Sequence, residues 1–189
     1  MIKAVVFDCF GVFYVDPVLA YQNDPQSDPV VGRALNALSR LSDRGEITKN
    51  DYEGQVAGLL RRPLQEIDTQ FFHSQSRNQA LLDFSQSLRA RYKVGLLSNI
   101  GTDMMDGFFS LADRQQFFDK VVLSGSVHAA KPDPKIYLVA CRQLDIEPHE
   151  AVMVDDSNDN CAAARKLGMT AVRYENFSQA KQDLSQLLA

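Results

Sequence analysis

The stretch AVMVDDSNDNCAAARKLGMTAVRY at Ala151–Tyr174 carries the pattern that decides the fold. It begins with an apolar run, Ala151–Val154, that stops at two aspartates; a run without alternation is typical of a strand buried on both faces. A helical pattern follows over Asn160–Leu167 and ends at Gly168, and Thr170–Tyr174 is then predicted to be a second strand. This order predicts a parallel βαβ unit.

The same alternation extends toward the N-terminus. Short apolar runs end at a polar residue or a turn, and helical patterns lie between them. The strands predicted in this way are Ala4–Phe7, Val94–Leu97, Val121–Leu123, Ala151–Val154 and Thr170–Tyr174. The helices predicted beside them are Asp103–Phe118, Pro134–Leu144, Asn160–Leu167 and Gln179–Leu188. We therefore predict an α/β fold, a doubly wound, Rossmann-like parallel sheet of five strands with right-handed crossovers.

One interval is too long for a simple crossover, because roughly 85 residues separate Asp8 from Lys93. The interval has helical patterns at Pro29–Leu41, Asn50–Leu60, Leu64–Phe72 and Asn78–Ala90, and a predicted loop at Tyr21–Asp28. The last of these helices is expected to return the chain to the sheet. We predict an inserted all-helical cap over residues 14–76, with residues 1–13 and 77–189 forming the Rossmann-like core.

Composition excludes several classes of protein. The net charge is −4, whereas a nucleic-acid-binding protein is expected to carry an excess of basic residues. No apolar run approaches the ~20 residues that cross a bilayer, so no membrane association is expected. The three cysteines, Cys9, Cys141 and Cys161, have no disulfide-framework spacing and favour free thiols in the cytoplasm. Neither a monomer nor a homodimer is favoured by the sequence.

Polar side chains follow four of the predicted strands. Asp8, Ser98 and the pair Asp155-Asp156 each come directly after an apolar run, and Lys131 follows a few residues after another. Because ligands of open parallel sheets bind beyond the carboxyl ends of the strands, these groups are expected to converge. Three carboxylates facing one lysine need a further cation, and an all-oxygen ligand set favours Mg²⁺. No histidine and cysteine cluster competes for zinc.

These residues lie in motifs that resemble the haloacid dehalogenase superfamily. The motifs are VVFDCFGV at Val5–Val12, LLSN at Leu96–Asn99, KPDPKIY at Lys131–Tyr137 and VDDSNDNCAAARKLGM at Val154–Met169. The resemblance spans nearly the whole chain and is specific, because four motifs occur in order at predicted strand ends. It points to the phosphatase-like members that carry a helical cap after the first motif.

The resemblance implies catalytic roles for three residues. Asp8 matches the nucleophile, which forms and then releases an aspartyl-phosphate and is also a metal ligand. Ser98 matches the residue whose hydroxyl binds phosphate, helped by the backbone amide of Asn99. Lys131 matches the lysine that holds the nucleophile and the phosphate together.

The resemblance also implies a metal shell. Asp156 matches the direct ligand, Asp155 the neighbour that reaches the metal through water, and Asn160 a residue that orients both. The carbonyl of Phe10 completes the set, since that position contributes only its backbone. Many family phosphatases instead carry an aspartate there as general acid and base. Candidates for replacing it are Asp16, Tyr14 and His128.

We expect a Mg²⁺-dependent phosphatase that acts on a small phosphorylated metabolite, such as a sugar phosphate, with Tyr14 and Asp16 contacting the substrate. Two alternatives stay open. An aromatic residue at Phe10 also occurs in true dehalogenases, which attack carbon without a metal, although these do not need Asp155-Asp156. A relative that binds a metabolite or a protein partner without catalysis is the other alternative, and its sequence support is Phe10.

Overall fold

The computed structural model describes residues 1–68 and 76–189. It contains a parallel sheet of five strands in the order β3-β2-β1-β4-β5. The strands are β1 Ala4–Phe7, β2 Lys93–Ser98, β3 Lys120–Leu123, β4 Ala151–Asp155 and β5 Thr170–Arg173. The predicted α/β fold class and five-stranded parallel sheet are confirmed.

The apolar runs form strands because the sheet is covered on both faces. Every residue of β1 is buried. Val5 and Phe7 belong to a core on one face, whereas Ala4 and Val6 belong to a second core on the other face. The residues on both faces of each strand must therefore be apolar, which explains why polar and apolar residues do not alternate.

Helices cover the two faces and fill the long interval between β1 and β2. In the described residues they are α1 Pro17–Asn23, α2 Pro29–Asp43, α3 Lys49–Leu60, α4 Leu64–Asp68, α5 Gln79–Leu88, α6 Leu111–Phe117, α7 Ser124–Val127, α8 Pro134–Leu144, α9 Asn158–Lys166 and α10 Phe177–Leu187. Helices α8 and α9 contribute to the core around Val6, and α5 and α10 to the core around Phe7. None of the helices in the described ranges is long and apolar enough to cross a bilayer.

The described part of the segment that follows β1 contains helices, as predicted, but several of their bounds differ. Helix α1 continues to Asn23, so the predicted loop over Tyr21–Asp28 is wrong at its start. Asp16 caps this helix by accepting hydrogen bonds from two backbone amides, and Pro17 occupies its first turn. The helix predicted over Leu64–Phe72 is present as Leu64–Asp68, and the remaining residues of that prediction lie outside the described ranges.

The helix predicted over Asp103–Phe118 is also wrong as a single element. A short 3₁₀ turn covers Met105–Gly107, and α6 begins only after Ser110. The Ser110 side chain and the Asp113 carboxylate form a reciprocal capping box, which starts a new helix at this point. A strong internal cap thus overrides an apolar periodicity that continues across it.

Candidate active site

A cleft opens at the carboxyl edge of the sheet, where β1, β2 and β4 lie side by side. Asp8 follows β1, Asn99 follows β2, and Asp156 follows β4. These three side chains and Lys131, which lies between α7 and α8, line a cavity of about 270 Å³. The neighbouring parallel strands bring residues that are distant in sequence to one edge, as the motif positions predict.

A buried ion-pair triad lies at one side of this cleft. Nζ of Lys131 is 2.6 Å from Oδ1 of Asp8 and 2.8 Å from Oδ2 of Asp155. All three side chains are almost fully buried. The backbone amide of Cys9 also donates to Oδ1 of Asp8, at 2.6 Å. One ammonium group therefore bridges two carboxylates that would otherwise repel each other.

Burial and the neighbouring charges have opposite effects on the pKa values of Lys131 and Asp8. Burial lowers the pKa of Lys131, but the charges of Asp8 and Asp155 outweigh it and hold that pKa above its usual value. Burial raises the pKa of Asp8, whereas the ammonium of Lys131 opposes this and favours the carboxylate. Lys131 is thus a permanent cation in the cleft.

Hydrogen bonds fix the orientation of the triad. Asn99 and Lys131 exchange two of them, since the Lys131 amide donates to Oδ1 of Asn99 at 2.8 Å and Nδ2 of Asn99 donates to the Lys131 carbonyl at 3.0 Å. Asp155 accepts from the Ser157 amide at 2.9 Å and from Nδ2 of Asn160 at 3.0 and 3.1 Å. Both oxygens of Asp155 are therefore engaged, and the residue is held rigidly behind Lys131.

Asp156 adds a third acidic group. Asp8, Asp155 and Asp156 each offer one carboxylate oxygen, and these oxygens lie within 4.8 Å of one another. That spacing is close to the ~4.2 Å between oxygens bound at ~2.1 Å on opposite sides of Mg²⁺. Burial, followed by the negative charge of Asp155, raises the pKa of Asp156. The residues fit a hard divalent cation, since three carboxylates face one lysine.

Gly11 makes room for Asp156. Its φ is +76°, and a Cβ there would lie 2.2 Å from Oδ2 of Asp156. A side chain at this position would collide with the carboxylate and strain the backbone.

Replacing Gly11 with alanine is therefore expected to destabilise the protein by about 1–3 kcal/mol, as measured by urea unfolding. Gly54→Ala is a matched control, because Gly54 lies inside α3 with nothing within 4 Å of its Cβ position. Alanine is the better helix former, so this control should unfold at an equal or higher urea concentration. Equal midpoints for Gly11→Ala and the unsubstituted protein would contradict the expected collision.

Ser98 ends β2 and is completely buried. In the described part of the chain its Oγ makes no hydrogen bond to an oxygen or nitrogen atom. An unpaired buried hydroxyl costs free energy, and functional sites are where such groups are retained for a ligand.

The remaining predicted residues separate into two groups. Phe10 and Asp16 line the cleft, and the ring of Phe10 packs edge-on against Phe108 with 4.8 Å between centroids. Tyr14 does not line it: the residue is buried, and its hydroxyl donates to the Phe108 carbonyl at 2.5 Å. His128 is exposed at the end of α7 and does not line the cleft either.

One acidic residue of the cleft was not predicted from the sequence. Asp43 is the last residue of α2, two positions beyond the predicted helix end at Leu41, and it lines the cavity together with Ser39 and Tyr52. An acidic residue is unfavourable at the negative end of a helix dipole. That unusual position, in a segment inserted just after Asp8, was the available signal.

Comparison with known proteins places the chain beside hydrolases. The model of the family described as haloacid dehalogenase-like hydrolase matches residues 35–174. The D-ribitol-5-phosphate phosphatase of Bacteroides thetaiotaomicron is 28% identical over 100% of this chain and 99% of that protein. The (S)-2-haloacid dehalogenase 1 of a Pseudomonas strain is 24% identical over 77% of this chain and 66% of that protein.

Three further similarities concern length and fold. Acyl-CoA dehydrogenase family member 10 of Mus musculus is 26% identical over 98% of this chain, which spans only 19% of that protein. A solved haloacid dehalogenase family enzyme of Bacteroides thetaiotaomicron superposes with a TM-score of 0.77 at 23% identity, covering 100% of this chain and 98% of that one. A structure of the same enzyme with magnesium and inorganic phosphate superposes with a TM-score of 0.71 at 21% identity, covering 95% and 99% of the two chains.

Proposed function

Because the chain belongs to the haloacid dehalogenase-like hydrolases, we propose that it is a Mg²⁺-dependent phosphatase of a small phosphomonoester, with Asp8 as the nucleophile. The observation that carries this proposal is the surplus of negative charge around Asp8. Three carboxylates lie together, and in the described part of the site Lys131 forms ion pairs with two of them, Asp8 and Asp155. A phosphatase needs this arrangement to hold a cation beside an anionic phosphoryl group, whereas a metal-free dehalogenase does not.

The ion would be held by Asp8, Asp156 and the backbone carbonyl of Phe10, with Asp155 beside it. When bound, Mg²⁺ supplies positive charge that neutralises the phosphoryl oxygens. Asp155 keeps its ion pair with Lys131 and its bonds from Asn160, so it acts mainly by orienting the lysine.

The chain's own residues carry out the displacement. An oxygen of Asp8 attacks phosphorus and the ester P–O bond breaks, which leaves an aspartyl-phosphate; water then breaks that bond and regenerates the carboxylate. Lys131 holds the Asp8 carboxylate by its ion pair and offers positive charge to the phosphoryl oxygens. The buried hydroxyl of Ser98, which has no oxygen or nitrogen partner in the described part of the chain, and the backbone amide of Asn99 are proposed phosphate contacts.

A small polyol or sugar phosphate is the proposed substrate class. The cavity of about 270 Å³ suits a small metabolite, and its wall carries Ser39, Asp43 and Tyr52 as partners for hydroxyl groups. A relative aligned along its full length is named a D-ribitol-5-phosphate phosphatase. Asp16 stays a proposed substrate contact, whereas Tyr14 would act by packing.

We also propose a division of the chain into a helical cap and a core. Residues 14–76 form the cap and contribute the Ser39, Asp43 and Tyr52 wall, while residues 1–13 and 77–189 form the core. Cys9, Cys141 and Cys161 are all free and buried, which supports a cytoplasmic location.

One specific observation favours dehalogenation as the second candidate. Phe10 presents an aromatic wall beside Asp8, and one relative is a 2-haloacid dehalogenase. The acidic pair Asp155-Asp156 argues against it, because those charges would repel a carboxylate substrate unless a cation were bound.

A substrate panel tests the proposal. D-Ribitol 5-phosphate, sugar phosphates and 2-haloacids are incubated with the protein, with Mg²⁺ or with a chelator. We expect phosphate release that stops with the chelator and returns with Mg²⁺. Halide release that persists with the chelator would establish the dehalogenase instead. No turnover of any compound would favour a binding protein.

A further inference from the structure

Hydrolysis of an alkyl phosphate needs a general acid and a general base in addition to the nucleophile Asp8. The departing oxygen leaves as an alkoxide, which is a poor leaving group unless a nearby acid protonates it. The water that attacks the aspartyl-phosphate must in turn lose a proton. Phe10, which lies two residues beyond the nucleophile, cannot exchange protons.

Most charged groups near Asp8 are unsuited to this task. Lys131 is held as a cation by two carboxylates, and both oxygens of Asp155 are engaged in hydrogen bonds. Asp156 belongs to the proposed metal shell. Oδ1 of Asp16 accepts hydrogen bonds from the Val18 and Leu19 amides at 2.8 and 3.0 Å, so this oxygen is engaged in capping α1.

Asp43 is held over the cleft by the packing of its neighbours. Oγ of Ser42 donates to Sδ of Met104 at 2.8 Å, and this contact joins the end of α2 to the loop after β2. Gly45, with φ +69°, lies so close to Gly125 that a Cβ would be 3.1 Å from its carbonyl oxygen. This second contact joins the turn after α2 to α7, which follows β3. Both anchors fix Asp43 against the same edge of the sheet as Asp8.

The carboxyl group of Asp43 is free to act. In the described part of the chain it makes no hydrogen bond or ion pair, although it lines the same cavity as Asp8 and Lys131. The charged or titratable groups that face it are Asp16 at the start of α1, Tyr52 on α3, Lys131 before α8 and the adjacent Arg44. Helix α7, which also packs against α2, contributes no titratable side chain.

The environment of Asp43 brings its pKa close to neutral pH. Burial, followed by the negative charge of Asp16, raises the pKa of Asp43 to about 7. The position at the C-terminal end of α2 acts in the same direction, because the helix dipole disfavours an anion there. A pKa close to the working pH is the optimum for a group that both donates and accepts a proton.

We infer that Asp43 is the general acid and general base of the hydrolysis, an inference that rests on the proposed phosphatase function. In the first step Asp8 bonds to phosphorus, the ester bond breaks, and the proton of Asp43 passes to the departing oxygen to give the alcohol. In the second step the Asp43 carboxylate takes a proton from water, whose oxygen bonds to phosphorus while the bond to Asp8 breaks. Phosphate leaves, Asp8 is again a carboxylate, and Asp43 is again protonated.

The test compares Asp43→Asn with Asp28→Asn. Both changes replace a carboxyl group at an end of α2 with an amide, but Asp28 is the exposed N-cap of that helix, and asparagine is an equally good cap. The substrates are D-ribitol 5-phosphate, whose alcohol needs a proton to leave, and p-nitrophenyl phosphate, whose phenolate leaves without one.

We expect Asp43→Asn to lose ~10²–10⁴-fold in kcat on the alkyl phosphate. On p-nitrophenyl phosphate it should release a rapid burst of one equivalent of p-nitrophenolate per enzyme and then turn over slowly, because the base of the second step is missing. Asp28→Asn should match the unsubstituted protein on both substrates.

Stability provides a measurement that is independent of turnover. The folded-state pKa of Asp43 lies above the unfolded value, so this residue costs stability progressively as pH rises from about 4 to 7. Asp43→Asn should therefore raise the Tm at pH 8.5, with a smaller gain at pH 5, and this result would also show that the variant folds.

Three results would overturn the inference. One is full activity of Asp43→Asn on the alkyl phosphate. Another is a higher KM with unchanged kcat, which would make Asp43 a hydroxyl-binding residue only. In both cases the unsubstituted enzyme still releases phosphate, so the proposed function survives. If the unsubstituted protein releases no phosphate from either ester, the function and the inference fail together.

Discussion

Replacing Asp8 with asparagine is expected to reduce the kcat of phosphate release by a factor on the order of 10⁴–10⁶, because the change removes the covalent nucleophile. The amide has almost the shape of the carboxylate but cannot form the aspartyl-phosphate. The loss should appear in kcat for every phosphate ester and for p-nitrophenyl phosphate alike, with no burst. This last feature separates the variant from Asp43→Asn, which keeps its nucleophile. The measurements are steady-state phosphate release and rapid-mixing p-nitrophenolate release, both in Mg²⁺.

The fold should tolerate this change, because the ammonium of Lys131 keeps its ion pair with Asp155 at 2.8 Å. Asp159→Asn is a suitable control, since Asp159 is exposed in the first turn of α9. The control should retain normal turnover and the Asp8 variant its folded circular dichroism spectrum. Activity of Asp8→Asn within tenfold of the unsubstituted protein would rule out Asp8 as nucleophile.

Replacing Lys131 with methionine should produce the largest loss of stability of any change described here. Lys131 is buried between Asp8 and Asp155, at 2.6 and 2.8 Å, and methionine removes the positive charge that compensates them. Removing one partner of a buried ion pair costs ~3–5 kcal/mol, because the other charge stays buried without compensation. For a chain of 189 residues this corresponds to a fall in Tm of about 6–20 °C.

Thermal and urea unfolding at neutral pH measure this loss. Lys135→Met is the matched control: Lys135 lies in the first turn of α8, is exposed, and donates to the Val127 carbonyl at 3.0 Å. Its replacement should change the free energy of unfolding by no more than ~0.5 kcal/mol. Acidification should restore part of the stability of Lys131→Met, because protonation removes the uncompensated charge of Asp8. Equal Tm values for the two variants would show that Lys131 does not hold the site together.

Much of the fold was predictable because burial on two faces leaves a strong trace in the sequence. Strands such as Ala4–Phe7 and Ala151–Asp155 are apolar on both faces, so they are recognisable as almost unbroken apolar runs. Helix α8 begins and ends at the predicted residues, Pro134 and Leu144, since Asp133 caps it and Pro134 occupies its first turn. The family match confirms the resemblance that the motifs indicated.

The errors arose where local signals compete. Apolar periodicity from Asp103 to Phe118 favoured a single helix, but the capping box at Ser110 divides it. Polar residues after Tyr21 favoured a loop, but α1, which begins after its cap at Asp16, continues to Asn23. Both helices begin at a side chain that satisfies free backbone amides, and the strength of such a cap cannot be judged from composition.

The sequence by itself determined that Asp8, Ser98, Lys131 and Asp155-Asp156 meet at one edge of a parallel sheet. Asp8 and Asp156 directly follow strands, Ser98 and Asp155 end them, and Lys131 lies in the loop before α8. The carboxyl ends of parallel strands share one edge of the sheet. Only the tertiary structure decided which side chains of the inserted helices join them. It places Asp43 in the cleft and buries Tyr14 against Phe108, although both lie in the same inserted segment. The physical reason is that these positions depend on packing between segments that are distant in sequence. The contacts of Ser42 with Met104 and of Gly45 with Gly125 are examples. Such packing produces no periodic pattern in the amino-acid sequence.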